Sequence, residues 1–299
     1  MIVALKAVFL RSSAIYGLLA CAALLPGGTT DGVAQFAAGT ELVEVYVTVS
    51  DSAGHPVTGL PQDAFTVLED GVPQTITAFA AGSMPLALGV GVDRSFSMTG
   101  RPLSLAKAGA RRLLDALEPS DQAMVVAVGS RIETLAPLSS DRVRAREVVA
   151  SLQPWGTSPL GDAVTAAIAS VAEGVGRRAL ALFTDGQERY NASERSTVLD
   201  RVRRSRVLIY PVAVGGKPTA LLVELAAVSG GRSFEGPDER TVTQAADAMA
   251  DELRHQYLLG YTPKRGLGAG MDAWRSIRVR VSGPQVAVRA RDGYFAGAR

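Results

Sequence analysis

The sequence predicts an α/β fold: an open, doubly wound, mostly parallel sheet, with a small accessory β unit formed by N-terminal strands and a C-terminal hairpin. Two patterns support this prediction. In the middle of the chain, continuously apolar runs alternate with segments whose apolar residues recur at helical spacing. Toward both ends, apolar and polar residues alternate with a period of two, which is typical of half-buried strands.

The central segment alternates strand and helix. Its apolar runs predict buried parallel strands at residues 86–92, 123–128, 179–183 and 207–214. Helical spacing predicts helices at residues 103–117, 141–152, 160–175, 194–206, 220–228 and 241–255. Because the connections are short, we expect helices on both faces of one sheet. The arginines of the fourth helix are expected to form a solvated face: Arg201, Arg203, Arg204 and Arg206.

The accessory β unit is predicted from both ends of the mature chain. The pair Asp70-Gly71 is typical of a tight turn between two short strands. Residues 277–282 and 286–291 alternate around a Gly-Pro turn, which predicts a terminal hairpin. The predicted organisation is a signal peptide at residues 1–34, an N-terminal β unit at 35–84, the α/β domain at 85–263 and the C-terminal hairpin at 264–299.

The N-terminus has the pattern of a secretory signal. Lys6 and Arg11 precede an apolar run at residues 14–25, which is shorter than the roughly 20 residues that span a bilayer. Ala34 ends a small-residue cleavage site before Gln35, so we expect a periplasmic, envelope-associated or secreted protein without a transmembrane span. An alternative is a lipoprotein signal ending at Cys21.

Composition limits the chemistry. The chain has 299 residues, with 31 basic and 29 acidic side chains and a net charge of +2, which argues against a dedicated nucleic-acid binder. One Cys and two His exclude a disulfide scaffold and a Cys/His zinc cluster. A bound metal would therefore need oxygen ligands.

Oxygen-bearing side chains follow the predicted strands. Ligands of open α/β sheets bind at the carboxyl ends of the strands. Asp93, Ser95 and Ser97 follow the first apolar run, and Asp185 follows the third. A loop at residues 156–162 adds two hydroxyls before a helix. Two carboxylates with several hydroxyls suit a hard cation such as Mg²⁺ or Mn²⁺, with one position left open for an incoming carboxylate.

Three segments, in this order, resemble the metal-ion-dependent adhesion site of von Willebrand factor type A domains. They are Asp93-Arg94-Ser95-Phe96-Ser97, Gly156-Thr157-Ser158-Pro159-Leu160-Gly161-Asp162-Ala163 and Phe183-Thr184-Asp185-Gly186. The resemblance covers about residues 85–263. It implies that Ser95 and Ser97 bind the ion directly, that Asp93 and Asp185 act mostly through water, and that the second loop supplies another hydroxyl.

The second loop departs from the family pattern, which usually has Thr four residues before the loop's Asp. Here that position is Ser158, which supplies the same oxygen, and Thr157 is the alternative. Asp162 is explained at least as well as a first-turn acid that orients the loop.

The flanking segments resemble exported bacterial proteins related to this family, of acidobacterial type. The resemblance lies in residues 57–74, in Gln256-Tyr257-Leu258-Leu259-Gly260-Tyr261 and in Arg291-Asp292-Gly293-Tyr294-Phe295. It extends the similarity over nearly the whole mature chain.

These observations predict a non-enzymatic binding module whose metal captures an acidic side chain of a protein partner. Two alternatives remain open. One is a metal-dependent hydrolase or phosphotransferase with Asp93 as nucleophile, although Ser95 stands where a haloacid-dehalogenase-like phosphatase would have a second acid. The other is a scaffold without metal, in which the β unit and the tail make the contacts. The oligomeric state is left open.

Overall fold

The computed structural model describes residues 42–188, 191–264, 273–283 and 285–296. The predicted signal peptide lies outside these residues. Within them, no helix is both long enough and apolar enough to cross a membrane.

Strands and helices are numbered in chain order. The strands are β1 (Val43–Ser50), β2 (Phe65–Glu69), β3 (Val72–Gln74), β4 (Ile76–Ala81), β5 (Leu86–Asp93), β6 (Gln122–Val128), β7 (Ile132–Ser139), β8 (Arg177–Thr184), β9 (Val207–Val214), β10 (Phe234–Gly236), β11 (Tyr257–Tyr261), β12 (Ala273–Val281), β13 (Ala287–Arg289) and β14 (Gly293–Ala296). The helices are α1 (Arg101–Asp115), α2 (Arg142–Ser151), α3 (Leu160–Val171), α4 (Arg195–Arg204), α5 (Ala220–Ser229) and α6 (Glu239–Arg254).

The central sheet has six strands in the order β10-β9-β8-β5-β6-β7. All neighbouring strands are parallel except β7, which runs antiparallel to β6 at the edge. Helices α1, α2 and α6 pack on one face, and α3, α4 and α5 pack on the other. All eight residues of β5 are buried because the strand lies inside the sheet with helices on both faces. The predicted fold class, a doubly wound and mostly parallel α/β sheet, is confirmed.

The accessory unit consists of two four-stranded antiparallel sheets, β13-β1-β11-β4 and β14-β12-β2-β3. Their inner faces share one apolar core, in which Phe65 of the second sheet contacts Tyr257 of the first with ring centroids 4.8 Å apart. The turn between β2 and β3 has φ of 47° at Asp70 and 81° at Gly71, so the predicted tight hairpin is confirmed.

Two features of the accessory unit differ from the sequence prediction. Strand β12 pairs with β2 and β14, whereas β13 pairs with β1, so residues 277–282 and 286–291 do not form one hairpin. The physical reason is that the chain crosses between the two sheets after Gly283, which has φ of 119°. Strand β11, placed by sequence within the segment 85–263, pairs with β1 and β4.

The accessory unit contacts the edge of the central sheet at which the parallel strands begin. Arg177, the first residue of β8, stacks over the ring of Tyr46 in β1, with 5.6 Å from its guanidinium carbon to the ring centroid. Arg206, just before β9, lies 3.6 Å from a carboxylate oxygen of Glu44. The opposite edge, where the strands end, carries the candidate site.

Of the arginines predicted to form a solvated face on α4, Arg201, Arg204 and Arg206 are exposed and Arg203 is half-buried, but two of the four also contact aromatic rings. The Arg203 guanidinium lies 5.3 Å from the Trp274 ring centroid, and that of Arg204 lies 3.9 Å from the Phe295 ring centroid. Because β12 and β14 lie beside this helix, the basic residues find aromatic partners there and connect α4 to the accessory unit.

Candidate metal site

Three loops form the candidate site at the carboxyl edge of the central sheet. The first loop follows β5, at residues 94–100. The second loop, at residues 153–159, leads into α3, and the third loop follows β8, with residues 185–188 and 191–194 described. Since β5 and β8 are neighbouring parallel strands, their last residues lie side by side. The sheet therefore brings together side chains that are about 90 residues apart in sequence.

Asp93 is the centre of the site. Its side chain is completely buried, and both carboxylate oxygens accept hydrogen bonds. The Ser95 backbone N–H donates to Oδ1 at 2.9 Å, while the hydroxyls of Ser158 and Thr184 donate to Oδ2 at 2.9 and 2.7 Å. Burial raises the pKa of Asp93 above its ordinary value, although these hydrogen bonds oppose the shift. A cation in this position would compensate the buried negative charge.

The first loop supplies two further hydroxyls. Ser95 is buried and Ser97 is exposed, yet their Oγ atoms lie 3.1 Å apart. The chain turns tightly here, in a 3-10 helix at Phe96–Met98, and the turn starts where Asp93 accepts the Ser95 N–H. The two hydroxyl oxygens are therefore adjacent and extend from the buried carboxylate toward solvent.

Backbone hydrogen bonds fix the second loop against the first. The Trp155 N–H donates to the Arg94 carbonyl at 2.6 Å, and the Phe96 N–H donates to the Gly156 carbonyl at 2.9 Å. Gly156 has φ of 79°, and a Cβ atom there would lie 2.3 Å from Ser130 Oγ, so both its conformation and its surroundings favour glycine.

This arrangement distinguishes the two candidate hydroxyls of the second loop. Ser158 is buried and donates to Asp93, whereas Thr157 is half-buried and its backbone N–H donates to Ser130 Oγ at 3.1 Å. The structure thus brings the Ser158 hydroxyl to the central carboxylate.

The third loop carries Asp185, which is half-buried and accepts the Gln187 N–H on Oδ1 at 3.0 Å. Asp162, in the first turn of α3, accepts the Ala192 and Ser193 N–H groups at 2.7 and 3.1 Å. Asp162 therefore orients the third loop, whereas the structural role considered from sequence was to orient its own, second loop.

The structure links four of the five predicted site residues directly: Asp93, Ser95, Ser97 and Ser158. Asp185 is next to Thr184, the fourth hydroxyl in contact with the group. Thr184 lies in the third of the segments that resemble the adhesion site, but no role was predicted for it from the sequence. Its signal was a hydroxyl at the end of an apolar strand, immediately before an acid.

The donor set fits a hard divalent cation. Among the described residues there is no cluster of three or more His, Cys, Asp and Glu side chains. The site instead combines two carboxylates with neutral hydroxyl oxygens, which suits Mg²⁺ or Mn²⁺. Asp93, Ser95, Ser97, Ser158 and Asp185 are the residues that would hold such an ion.

Comparison with known proteins identifies the domain. Residues 90–187 match the family model of the von Willebrand factor type A domain, a segment that begins in β5 and ends in the third loop. The chain contains a von Willebrand factor type A (VWA) domain. No curated protein matches the sequence significantly.

Solved structures with the VWA fold resemble the chain at low sequence identity. A von Willebrand factor type A structure from Catenulispora acidiphila is 11% identical, with a TM-score of 0.50, over 87% of this chain and 74% of that one. An aerotolerance-related membrane protein from Bacteroides fragilis is 22% identical, with a TM-score of 0.47, over 56% of this chain and 97% of that one. Proximal thread matrix protein 1 from the mussel byssus, solved with a zinc-occupied MIDAS motif, is 15% identical, with a TM-score of 0.48, over 62% and 49% of the two chains.

Proposed function

We propose that the protein is an exported, non-enzymatic binding module. Its VWA domain holds Mg²⁺ or Mn²⁺ at the carboxyl edge of the sheet, and the ion captures a carboxylate of a protein partner. The observation that carries the proposal is the fully buried Asp93 carboxylate, with four hydroxyl-bearing residues grouped around it. Export is proposed from the N-terminal signal pattern.

Electrostatics supports a metal at this point. A buried carboxylate is costly unless a positive charge or several hydrogen bonds compensate it. Here the compensating donors are neutral groups, and the pKa of Asp93 is still raised by burial. A divalent ion would reverse this cost, and with only two carboxylates nearby it would keep a net positive charge. That residual charge favours an anionic ligand from a partner.

The same geometry argues against Asp93 as a nucleophile for hydrolysis or phosphoryl transfer. A nucleophilic carboxylate must reach its substrate with a free oxygen lone pair. Asp93 is completely buried, and three hydrogen bonds occupy most of the about four lone-pair sites of its two oxygens. Those contacts suit a carboxylate that positions hydroxyls.

Isothermal titration of the purified, EDTA-treated protein with MgCl₂ tests the metal. We expect one site per chain, which disappears in Asp93→Ala. The matched control is Asp63→Ala, since Asp63 is an exposed acid of the accessory unit. No uptake of Mg²⁺ or Mn²⁺ by the native protein would remove the mechanism and favour the scaffold alternative.

A pull-down from the envelope fraction tests the partner. We expect a protein that is retained in Mg²⁺, released by EDTA and not retained by Asp93→Ala. Retention that survives both EDTA and the substitution would place the contact elsewhere on the molecule. A phosphatase assay on generic substrates, with and without Mg²⁺, tests the enzymatic alternative, and turnover lost in Asp93→Ala would establish it.

A further inference from the structure

Two exposed aromatic side chains lie beside the candidate metal site. Among the Phe and Trp residues that the structure describes, three are exposed: Phe96 at 66%, Trp155 at 38% and Trp274 at 36%. Trp274 is covered in part by the guanidinium of Arg203. Phe96 belongs to the first loop and Trp155 to the second, the loops that also carry Ser95, Ser97 and Ser158.

The backbone places these aromatic residues close together. Phe96 lies between Ser95 and Ser97 in sequence, and its N–H donates to the carbonyl of Gly156, the residue after Trp155. The Trp155 ring is also held in position, since the Arg94 guanidinium carbon lies 5.1 Å from its centroid. We refer to Phe96 and Trp155 as the aromatic rim.

The charge next to the aromatic rim is already compensated. Arg94 forms an ion pair with Glu133 while it stacks on Trp155. The arginine therefore adds no net positive charge that would select a second acidic group on the partner. Phe96 and Trp155 are the large apolar side chains that these two loops expose, beside exposed polar side chains such as Ser97 and Gln153.

We infer that the partner segment carries its metal-binding carboxylate within about two residues of a large apolar side chain, which packs on Phe96 and Trp155. This inference rests on the proposed function and specifies its ligand. Large exposed aromatic groups held on a rigid support are the type of residue that dominates binding energy at protein interfaces. The carboxylate would supply the dependence on metal, and the apolar neighbour would supply the selectivity among acidic partners.

Selection from a phage-displayed library of random nonapeptides tests this inference. The purified protein is panned in Mg²⁺, and bound phage are eluted with EDTA. We expect enrichment of Asp or Glu together with Leu, Ile, Phe, Tyr or Trp within about two positions. Phe96→Ser should keep the acidic enrichment and lose the apolar one.

The matched control is Val175→Ser. Val175 is 76% exposed, like Phe96, but it precedes β8 and lies at the other edge of the sheet, roughly 25 Å away at ~3.3 Å per strand residue. For the best selected peptide, Phe96→Ser should weaken binding in Mg²⁺ by about tenfold or more, whereas Val175→Ser should leave it unchanged.

The outcomes separate this inference from the proposed function. Enrichment of acidic residues with random neighbours, or equal binding by Phe96→Ser and the native protein, would overturn the aromatic rim and leave metal-dependent capture standing. Selection without acidic residues, or without dependence on Mg²⁺, would contradict the proposed function itself. Thermal unfolding of each variant checks whether the substitutions leave the fold intact.

Discussion

A buried carboxylate lies at each edge of the central sheet, and the two are compensated in different ways. At the amino edge, the buried carboxylate of Glu252 in α6 meets an opposite charge: it forms an ion pair with Arg289 of β13 and also accepts the Tyr210 hydroxyl at 2.8 Å. At the carboxyl edge, the buried carboxylate of Asp93 is surrounded by hydroxyls and an N–H group. The charge of Glu252 is compensated by an arginine of the same chain, whereas the charge of Asp93 meets only neutral donors and is suited to an added cation.

This difference implies that the amino edge contributes mainly to the stability of the fold and the carboxyl edge mainly to metal binding. Paired charges at the amino edge fix the accessory unit to the VWA domain, and breaking them would leave a buried charge uncompensated. The carboxyl edge keeps a destabilising charge that a metal would relieve, as is common at functional sites. Substitutions at the two edges should therefore affect different measurements.

The largest expected effect is on stability, from Glu252→Ala at the amino edge. The substitution removes the acceptor of Tyr210, Thr48 and Arg289 from a side chain that is only 5% exposed. Loss of one partner from a buried ion pair costs about 3–5 kcal/mol, and Tm should fall by roughly 10 °C, at about 2–4 °C per kcal/mol. Urea or thermal unfolding measures the loss.

The control for Glu252→Ala is Glu224→Ala. Glu224 pairs with Arg195 at 2.9 Å, but both side chains are more than two-fifths exposed. Its loss should cost less than about 1 kcal/mol. Below its Tm, Glu252→Ala should bind Mg²⁺ with native affinity. A loss of Mg²⁺ affinity in this variant would show that the two edges are coupled.

The next largest effect is the loss of the metal response in Asp93→Asn. Saturation with Mg²⁺ at about 100 times Kd should stabilise the native protein by about 2.7 kcal/mol and leave the variant unchanged. In EDTA the variant should be more stable than the native protein at neutral pH, because it lacks the buried charge. Differential scanning fluorimetry with Mg²⁺ or EDTA measures both effects.

The pH dependence has a definite sign. Burial raises the pKa of Asp93, so the folded state holds this proton more tightly than the unfolded state. In EDTA, protonation of Asp93 therefore contributes to the free energy of unfolding of the native protein. This contribution is fully present below the ordinary carboxyl pKa and is lost as pH rises through the raised pKa. The Tm advantage of Asp93→Asn should grow from acid to neutral pH. An advantage that is independent of pH would contradict the electrostatic explanation.

The sequence predicted the interior of the molecule more fully than its edges. Buried strands and long helices leave strong apolar patterns, and all six predicted helices appear with shifted ends. Strand β7 was not predicted, because most of its residues are only partly buried and show no regular alternation. The partner of β13 was missed because the choice between two sheet edges depends on the three-dimensional course of the chain.

In the candidate site, too, some features could be predicted from the sequence and others required the tertiary structure. The spacing of two predicted that the side chains of Asp93, Ser95 and Ser97 lie on one side of an extended loop, and the structure brings them together in a tight 3-10 turn instead. Ser158 and Thr157 could be distinguished only once the path of the second loop was known, because the two adjacent residues make different contacts. The arginines of α4 have the charge pattern of a solvated face, and only the tertiary structure shows their aromatic partners.

A smaller effect is expected from Gly156→Ala, which tests how firmly the second loop is held. The new Cβ atom would lie 2.3 Å from Ser130 Oγ and 2.4 Å from its backbone nitrogen, so the loop must shift. We expect a loss of about 2–3 kcal/mol and, because Ser158 moves with the loop, several-fold weaker Mg²⁺ binding. Unfolding and calorimetry measure the two effects.

Gly215→Ala is the control that separates the cost of positive φ from the cost of the close contact with Ser130. Gly215 also has positive φ, 82°, but nothing lies within 4 Å of its Cβ position. It should cost only about 1 kcal/mol and leave Mg²⁺ affinity unchanged. Equal effects in the two variants would mean that the contact with Ser130 does not position the second loop.

The smallest effect is expected from Arg204→Ala, which tests whether α4 connects the two edges. This helix follows the third loop at one end and stacks Arg204 on Phe295 of the accessory unit. An exposed cation–π contact contributes about 0.5–1 kcal/mol. Tm should fall by roughly 1–4 °C, while Arg201→Ala, at an exposed position of the same helix, should change it less. If the edges act independently, Mg²⁺ affinity stays constant in both variants. Weaker Mg²⁺ binding in Arg204→Ala alone would show that α4 transmits the state of the accessory unit to Asp185.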